Sequence, residues 1–308
     1  MRTAFITHPA CVRHDMGAGH PESPARLTAI EAALRAAGLW PRLAHMEAPA
    51  ATREQLARVH DAAYLDAIES MAPDRGWVEL DPDTAMNSYS LAAARHAAGA
   101  LVRAVDAVLA GEADNAFCAV RPPGHHATPG RAMGFCIFNN VAVGVAHALD
   151  AHGLERVAIV DFDVHHGNGS EACFRDDPRV LLCSTFQHPL YPYSGAEGGN
   201  AHNLPLPAGS DGAVLRAVFA ERVLPALRAF RPQCVFFSAG FDGHREDPLA
   251  GWRLDEADYA WITAEVLTVA RECAQGRVIS TLEGGYALAA LGRSVAAHVG
   301  VLAGGDAQ

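Results

Sequence analysis

The amino-acid sequence predicts a three-layer α/β fold, in which helices cover both faces of a parallel sheet. Short apolar runs alternate with longer amphipathic segments along the chain of 308 residues. The apolar runs do not alternate with polar residues. This continuous apolar pattern is what strands need when both faces of a parallel sheet are buried. No flexible linker, charge block or internal repeat interrupts this order. We therefore expect a single domain spanning residues 1–308.

The predicted elements follow from local signals. Ser23 suits a helix N-cap, Pro24 the first helical position and Gly38 the end of that first helix. Further amphipathic segments predict helices at 53–69, 88–110, 140–152, 211–229, 255–274 and 287–302. The apolar runs between them predict strands at Ala116–Val120, Val157–Val164, Val180–Ser184, Cys234–Ala239 and Arg277–Leu282.

Composition narrows the class of protein. The chain has 24 Lys and Arg against 35 Asp and Glu, a formal charge of −11, which argues against a nucleic-acid or membrane-surface partner. Its 7 cysteines are widely spaced without a C-x-x-C pair, which favours reduced thiols over a disulfide framework. No apolar segment has the length of a signal peptide or a membrane span. We therefore expect a cytoplasmic protein.

Polar motifs follow four of the five predicted strands. In open parallel sheets, ligands bind beyond the carboxyl ends of the strands. The motifs are Arg121-Pro-Pro-Gly-His-His126, Asp161-Phe-Asp-Val-His-His-Gly-Asn168, Phe241-Asp242 and Glu283-Gly-Gly-Tyr286. The sequence therefore predicts one functional site at this edge of the sheet.

The second motif indicates a metal site. Asp161, Asp163 and His165 are two residues apart, so an extended strand would place their side chains on one face. Asp242 adds a carboxylate at a neighbouring strand end, and a divalent cation would compensate this charge. Asp163, His165 and Asp242 would be the ligands, with Asp161 supporting them. Zinc, ferrous iron and cobalt all suit this set; alternatively, these residues are solvated groups that end their strands.

The first motif suits proton transfer. Pro122-Pro-Gly124 forms a defined turn that would present His125 and His126 together. One imidazole oriented by a carboxylate and one free to exchange a proton could act as base and acid. Asp161 and Asn168 are candidate orienting partners. A polar loop surface is the alternative interpretation.

The last motif supplies a candidate oxyanion donor. Tyr286 follows Gly284-Gly285, which allow the backbone to approach the site closely. Its phenol could donate a hydrogen bond to a developing oxyanion. A packed tyrosine with a satisfied hydroxyl is the alternative.

Together these motifs resemble the zinc-dependent histone deacetylase family. The residues that carry the resemblance are RPPGHH at 121–126, GFCIFNN at 134–140, DFDVHHGNG at 161–169, FSAGFDGHREDPLAG at 237–251 and LEGGY at 282–286. Asn168 stands where class I members have aspartate, so the chain looks like the class II and bacterial amidohydrolase branch. The resemblance implies an arginase-deacetylase fold with a central eight-stranded parallel sheet.

The resemblance also implies roles for the matching residues. The implied zinc ligands are Asp163, His165 and Asp242. The implied catalytic groups are His126 as base and acid, His125 and Asp161 as its electrostatic partners, Asn168 as its orienting residue and Tyr286 as the group that polarises the acyl oxygen. The implied substrate-tunnel residues are Gly134, Phe135 and Tyr191. Implied potassium sites are Asp161, Asp163, His165 and Ser184 with Thr185 beside them, and a second set of Phe174, Asp177 and Val180.

The implied reaction removes acetyl or other small acyl groups from lysine side chains or similar amines. Zinc would activate a water, His126 would move protons and Tyr286 would stabilise the oxyanion. The resemblance also leads us to expect a structural potassium ion. The sequence leaves the substrate, the acyl group and the oligomeric state open.

Three alternatives remain. A binuclear manganese ureohydrolase of the same fold would need carboxylates where Gly167 and His244 stand. An acetylpolyamine amidohydrolase is expected to carry an acidic gatekeeper, and Leu249 occupies the matching position. A non-catalytic acyl-lysine binding module would not need His126 and Tyr286.

Overall fold

The computed structural model describes residues 1–195 and 200–305. The described strands are β1 (Thr3–Thr7), β2 (Ala44–Glu47), β3 (Trp77–Asp81), β4 (Thr84–Asn87), β5 (Asn115–Cys118), β6 (Val157–Asp161), β7 (Val180–Gln187), β8 (Ala201–Leu206), β9 (Cys234–Ala239) and β10 (Val278–Leu282). Eight of them form a parallel sheet in the order β2-β1-β5-β10-β9-β6-β7-β8, and β3 and β4 form an antiparallel hairpin. The predicted α/β class with an eight-stranded parallel sheet is confirmed.

The helices connect and cover the strands. They are α1 (Ala10–Arg13), α2 (Ala25–Ala36), α3 (Arg53–Leu56), α4 (Ala62–Met71), α5 (Ser90–Leu109), α6 (Asn140–Asp150), α7 (Asn168–Phe174), α8 (Gly212–Val218), α9 (Leu224–Phe230), α10 (Glu256–Cys273) and α11 (Leu288–Leu302). Every residue of β5, β6, β7, β9 and β10 is buried. Both faces of the sheet are therefore covered. Among the helices of the described residues, none is long and apolar enough to span a membrane.

The predicted helix at 53–69 is wrong as one element. The structure has α3 and α4 instead, because the residues between them form hydrogen bonds with a distant segment of the chain. The backbone N–H of Asp61 donates to the carbonyl of Pro129 at 2.9 Å. The His60 ring is buried, and its Nδ1 bonds the carbonyl of Thr128 at 3.1 Å. These contacts replace the bonds that a continuous helix would need.

The predicted helix at 211–229 is interrupted by a π-helical turn at Phe219–Val223. Pro225 follows this turn, and its missing N–H cannot complete an α-helical bond to Glu221. At the start of α2, the Ser23 side chain does not cap the helix, contrary to expectation. The Ser23 carbonyl accepts the N–H of Arg26 at 3.1 Å instead. Gly38 ends this helix as predicted, with a φ of 68°.

The strand order explains where the site lies. β5, β10, β9 and β6 are consecutive neighbours in the sheet. Because the strands are parallel, their carboxyl ends lie at one edge, and the chain leaves each strand there. The four polar motifs therefore begin side by side, although the first and last are more than 150 residues apart along the chain.

Candidate metal and catalytic site

Three side chains that can bind a metal meet beyond the carboxyl ends of β6 and β9. Nδ1 of His165 lies 3.1 Å from Oδ1 of Asp163 and 3.1 Å from Oδ2 of Asp242. The predicted extended strand as far as Val164 is wrong, because β6 ends at Asp161. The Asp161 side chain accepts the backbone N–H of Asp163 at 3.1 Å. A bend, rather than an extended strand, therefore brings these side chains together.

The cluster of Asp163, His165 and Asp242 fits a divalent metal ion. All three residues are buried, and one ligand atom from each lies within 4.8 Å of the others. Burial and the nearby Asp163 carboxylate raise the pKa of Asp242. Two buried carboxylates this close are costly to ionise together unless a cation compensates them. Two carboxylates and one imidazole form a ligand set that zinc, ferrous iron and cobalt accept.

The two histidines after β5 have different hydrogen-bond partners. Nδ1 of His125 donates to Oδ2 of Asp161 at 3.0 Å. Nδ1 of His126 donates to Oδ1 of Asn168 at 2.8 Å. An amide oxygen can only accept, so the His126 proton lies on Nδ1 and the neutral ring keeps a lone pair on Nε2. The structure thus joins each histidine to one of the two candidate orienting residues.

Nearby charges move the pKa values of these imidazoles in opposite directions. Burial opposes the protonated form, but the Asp163 and Asp161 carboxylates raise the pKa of His125 to about 10. Burial, followed by repulsion from His125 and His165, holds the pKa of His126 well below its ordinary value. At neutral pH, His125 is protonated and His126 is neutral. Only His126 can then accept a proton.

Glu283 belongs to the motif after β10, but the sequence suggested no role for it. Its Oε2 accepts the backbone N–H groups of Gly124 at 2.7 Å and His125 at 3.1 Å. Its Oε1 accepts the hydroxyl of Ser238 at 3.2 Å. Burial raises the pKa of Glu283 to about 7. The sequence did contain a signal for Glu283: a glutamate directly after an apolar strand is expected to be buried, and a buried carboxylate needs partners.

One cavity of about 220 Å³ contains His126, His165 and Tyr286. The residues predicted to contact substrate also line it, namely Gly134, Phe135, Tyr191 and Leu249. A Cβ atom on Gly134 would lie 2.4 Å from Cδ2 of His126, so a glycine is needed for this close approach. Phe135 and Tyr286 meet edge to face, with ring centroids 5.9 Å apart.

The sequence did not identify three further lining residues, Asp83, Leu190 and Tyr193. Oδ1 of Asp83 accepts the N–H of Gly134 at 3.0 Å and the hydroxyl of Thr84 at 2.7 Å. The sequence analysis concerned only the gatekeeper position, where Leu249 offers no charge to a polyammonium ligand. Asp83 supplies a carboxylate to the cavity from the turn between β3 and β4, whose Asp-Pro-Asp-Thr sequence was the only local signal.

The segment that carries Tyr286 is held by Asp247, which the sequence also left without a role. Oδ2 of Asp247 accepts the N–H groups of Tyr286 at 2.7 Å and Ala287 at 3.3 Å. Oδ1 accepts the N–H of Leu249 at 3.0 Å. Burial and the charge of Asp242 raise the pKa of Asp247 to about 6. One carboxylate therefore fixes both the candidate oxyanion donor and a wall residue of the cavity.

The residues of the two implied potassium sites lie in two places. Ser184 is the register partner of Asp161 between β6 and β7. In the described part of the chain, the buried hydroxyls of Ser184 and Thr185 have no hydrogen-bond partner. The other residues form a turn between α7 and β7, where Asp177 N–H donates to the Phe174 carbonyl at 3.1 Å and Val180 N–H to the Asp177 carbonyl at 3.1 Å. Potassium binding at either place stays a prediction.

Comparison with known proteins gives consistent results. A model of the histone deacetylase domain matches residues 20–302. The chain is 42% identical to a histone deacetylase-like amidohydrolase of Pseudomonas aeruginosa, over 92% of this chain and 82% of that protein. It is 36% identical to a probable deacetylase of Archaeoglobus fulgidus, over 94% and 82% of the two chains. The crystal structure of the HDA15 HD domain superposes with a TM-score of 0.93 at 36% identity and covers 100% of this chain and 89% of that one.

The eight-stranded parallel sheet and the residues gathered at its carboxyl edge define a hydrolase of the arginase-deacetylase fold. Within that class, the chain belongs to the histone deacetylase family. The resemblance drawn from the motifs is therefore confirmed.

Proposed function

We propose that this protein hydrolyses the amide bond of acyl-lysine side chains that carry an acetyl or another small acyl group. One observation carries the proposal. The imidazole of His126, the phenol of Tyr286 and the imidazole of His165 line the same cavity of about 220 Å³, and His165 contacts the carboxylates of Asp163 and Asp242. Amide hydrolysis requires a base, an acid and a group that stabilises the oxyanion, and these side chains can fill those roles.

The metal would be held by Asp163, His165 and Asp242. When bound, a divalent ion such as zinc supplies a Lewis acid that polarises the acyl carbonyl and makes a water more acidic. Ferrous iron or cobalt would suit the same ligands. We also propose that Ser184 and Thr185 take part in a structural potassium site, since neither buried hydroxyl has a hydrogen-bond partner within the described residues and Ser184 is the register partner of Asp161.

His126 would move the protons of the reaction. Its Nε2 accepts a proton as water adds to the carbonyl carbon, and later donates a proton to the amine nitrogen as the C–N bond breaks. Protonated His125 stays bonded to Asp161 and opposes early protonation of its neighbour. Tyr286 remains a neutral phenol, because burial raises its pKa well above the ordinary value, and it donates to the oxyanion. A carboxylic acid and a free amine are the products.

The shape of the cavity favours a long aliphatic amine. The apolar side chains of Phe135, Leu190 and Leu249 line it together with the ring of Tyr191, and such walls suit the methylene chain of lysine. An acetylpolyamine is the second candidate, because Asp83 supplies a carboxylate that would attract a second ammonium group.

A direct assay separates these functions. The chain is incubated with an acetyl-lysine peptide or with acetylputrescine, and both the acetate and the free amine are quantified. We expect cleavage that a chelator abolishes and added zinc restores, and little turnover by His126→Ala. Faster cleavage of acetylputrescine would favour the polyamine function. A metal-loaded, folded chain that cleaves neither substrate any faster than His126→Ala would overturn the proposal.

A further inference from the structure

A second group of potential metal ligands lies far from the catalytic cavity. Nε2 of His147 and Nε2 of His152 each lie 2.8 Å from Oδ1 of Asp106. The two imidazole centroids are 5.2 Å apart. Across residues 1–195 and 200–305, this group and the Asp163 cluster are the two sets of His, Cys, Asp or Glu side chains with ligand atoms all within 4.8 Å. The three atoms therefore already have the spacing of a compact ligand set.

The fold places this group at the opposite edge of the sheet. Asp106 lies in the last turn of α5, which leads into β5, and His147 lies in the last turn of α6, which leads into β6. A helix that precedes a parallel strand ends near the amino end of that strand. The catalytic groups lie beyond the carboxyl ends. Changes at Asp106, His147 or His152 should therefore leave the catalytic cavity intact.

The electrostatic environment favours a cation. Two helix C-termini adjoin the group, and each carries partial negative charge from carbonyls without helical partners. Asp106 adds a carboxylate, and one oxygen of it already lies 2.8 Å from Nε2 of both imidazoles. His152 is exposed and Asp106 is partly exposed, whereas His147 is buried, so an ion would enter the group from the side of His152 and Asp106.

We propose that Asp106, His147 and His152 form a second zinc site, which ties the end of α5 to the end of α6. Two imidazoles and one carboxylate are borderline ligands that suit zinc better than calcium or magnesium. Water would complete the coordination, because three protein ligands leave positions open.

Arg58 supplies a specific test of this assignment. Its Nη1 lies 2.8 Å from Nδ1 of His147. A guanidinium can only donate, so Nδ1 accepts and the proton of neutral His147 lies on Nε2, from which it is donated to Asp106. Zinc binding at Nε2 moves that proton to Nδ1, and Arg58 must then move away. Arg58 thus competes with zinc through His147, both by its hydrogen bond and by its charge.

The site is tested by counting bound zinc. The tag-free chain is incubated with excess zinc chloride, desalted and analysed for zinc per protein by mass spectrometry, and affinities are measured by calorimetry. We expect wild type to hold one zinc more than His152→Ala. The comparison does not depend on the proposed function, because the difference is the same whether or not the catalytic cluster binds zinc.

Three variants make the outcome decisive. His152→Ala should weaken binding at this site by about 10-fold or more, and Arg58→Ala should tighten it severalfold. His202→Ala removes an exposed histidine on β8 outside the group. It should change neither the zinc content nor the zinc affinity. Deacetylation should be the same in all three and in wild type. Equal zinc content in wild type and His152→Ala, or weaker zinc binding by Arg58→Ala, would overturn the second site.

Discussion

Two adjacent histidines differ in protonation because the Asp163 and Asp161 carboxylates support the His125 imidazolium, while burial and the nearby His125 and His165 oppose protonation of His126. His125 donates to a carboxylate, which supports the imidazolium, whereas His126 donates to the neutral amide of Asn168. An aspartate in place of Asn168 would add a negative charge against His126 and favour its protonated form. The amide therefore orients His126 without reducing its capacity to accept a proton.

The phenol of Tyr286 should contribute to catalysis without contributing to folding. Tyr286→Phe keeps the ring that packs edge to face on Phe135 but removes the donor to the oxyanion. We expect kcat on the acetyl-lysine peptide to fall by about 10²- to 10³-fold, with little change in KM or in Tm. Tyr89→Phe, at an exposed residue beside Arg13, is the matched control. Near-normal kcat in Tyr286→Phe would remove this residue from the proposed mechanism.

Asp247 should act on the reaction through the position of Tyr286. Asp247→Asn exchanges one carboxylate oxygen for an NH₂ group, so either the Tyr286 N–H or the Leu249 N–H loses its acceptor. We expect the free energy of unfolding to fall by about 1 kcal/mol, because a partly buried N–H is left unpaired. Because the lost hydrogen bond lets Tyr286 move from its position, kcat should fall about 10-fold or more, while KM changes less.

A purely structural role for Asp247 gives a different result. Tm would then decrease, but kcat of the folded enzyme at low temperature would stay normal. In the double variant with Tyr286→Phe, the kcat effect of Asp247→Asn should largely disappear, because the group it positions is already removed. Fully additive effects on kcat would contradict the positioning role.

At the scale of elements, two helical glycines should respond to alanine with opposite signs. A Cβ on Gly99 in α5 would lie 1.9 Å from the carbonyl oxygen of Pro49, so Gly99→Ala forces apart a packed segment and should destabilise by about 1–3 kcal/mol. A Cβ on Gly300 in α11 meets only Cδ1 of Leu39, at 3.8 Å. Gly300→Ala should therefore stabilise by about 0.5–1 kcal/mol. Urea denaturation measures the change in the free energy of unfolding for each variant, and changes of the same sign would contradict the packing explanation.

Sequence pattern predicted the elements that are buried on both sides. Cys234–Ala239 matches β9 residue for residue, because a central strand of a parallel sheet is a continuous apolar run. Sequence pattern did not predict β1, β2 or β8 of the sheet. The strands β2 and β8 lie at the edges of the sheet and have half-exposed residues, so their short mixed sequences resemble loops. The break between α3 and α4 depends on Pro129, which no local pattern reveals.

At the scale of the whole molecule, the parallel sheet made the site predictable. Residues that directly follow buried strands had to meet at one edge, and the structure places Asp163, His165 and Asp242 within 4.8 Å there. The supporting residues were harder to identify. Asp83 reaches the cavity from a separate hairpin and Asp247 lies in an irregular loop, so their contacts depend on how distant segments pack.

The buried histidines of this fold should make the protein sensitive to acid. His298 is buried, with Nδ1 against the Thr263 hydroxyl at 2.6 Å and Nε2 against the Ser280 hydroxyl at 2.8 Å. Burial lowers the pKa of His298 to about 3, and burial likewise lowers the pKa of His60 to about 4. Below pH 6.5, the unfolded chain therefore binds protons that the folded chain does not, and stability falls as pH falls.

The contribution of His298 can be measured separately. An imidazole whose pKa drops from 6.5 to about 3 on folding should cost about 2 kcal/mol of stability between pH 7 and pH 5. His298→Gln has no titrating ring, so its free energy of unfolding should decline by about that much less than wild type over this interval, whatever its stability at pH 7. Urea denaturation at both pH values, with the same metal loading, measures the difference. His202→Ala, at an exposed position, should keep the wild-type decline; the same decline in His298→Gln would mean that His298 does not sense acid.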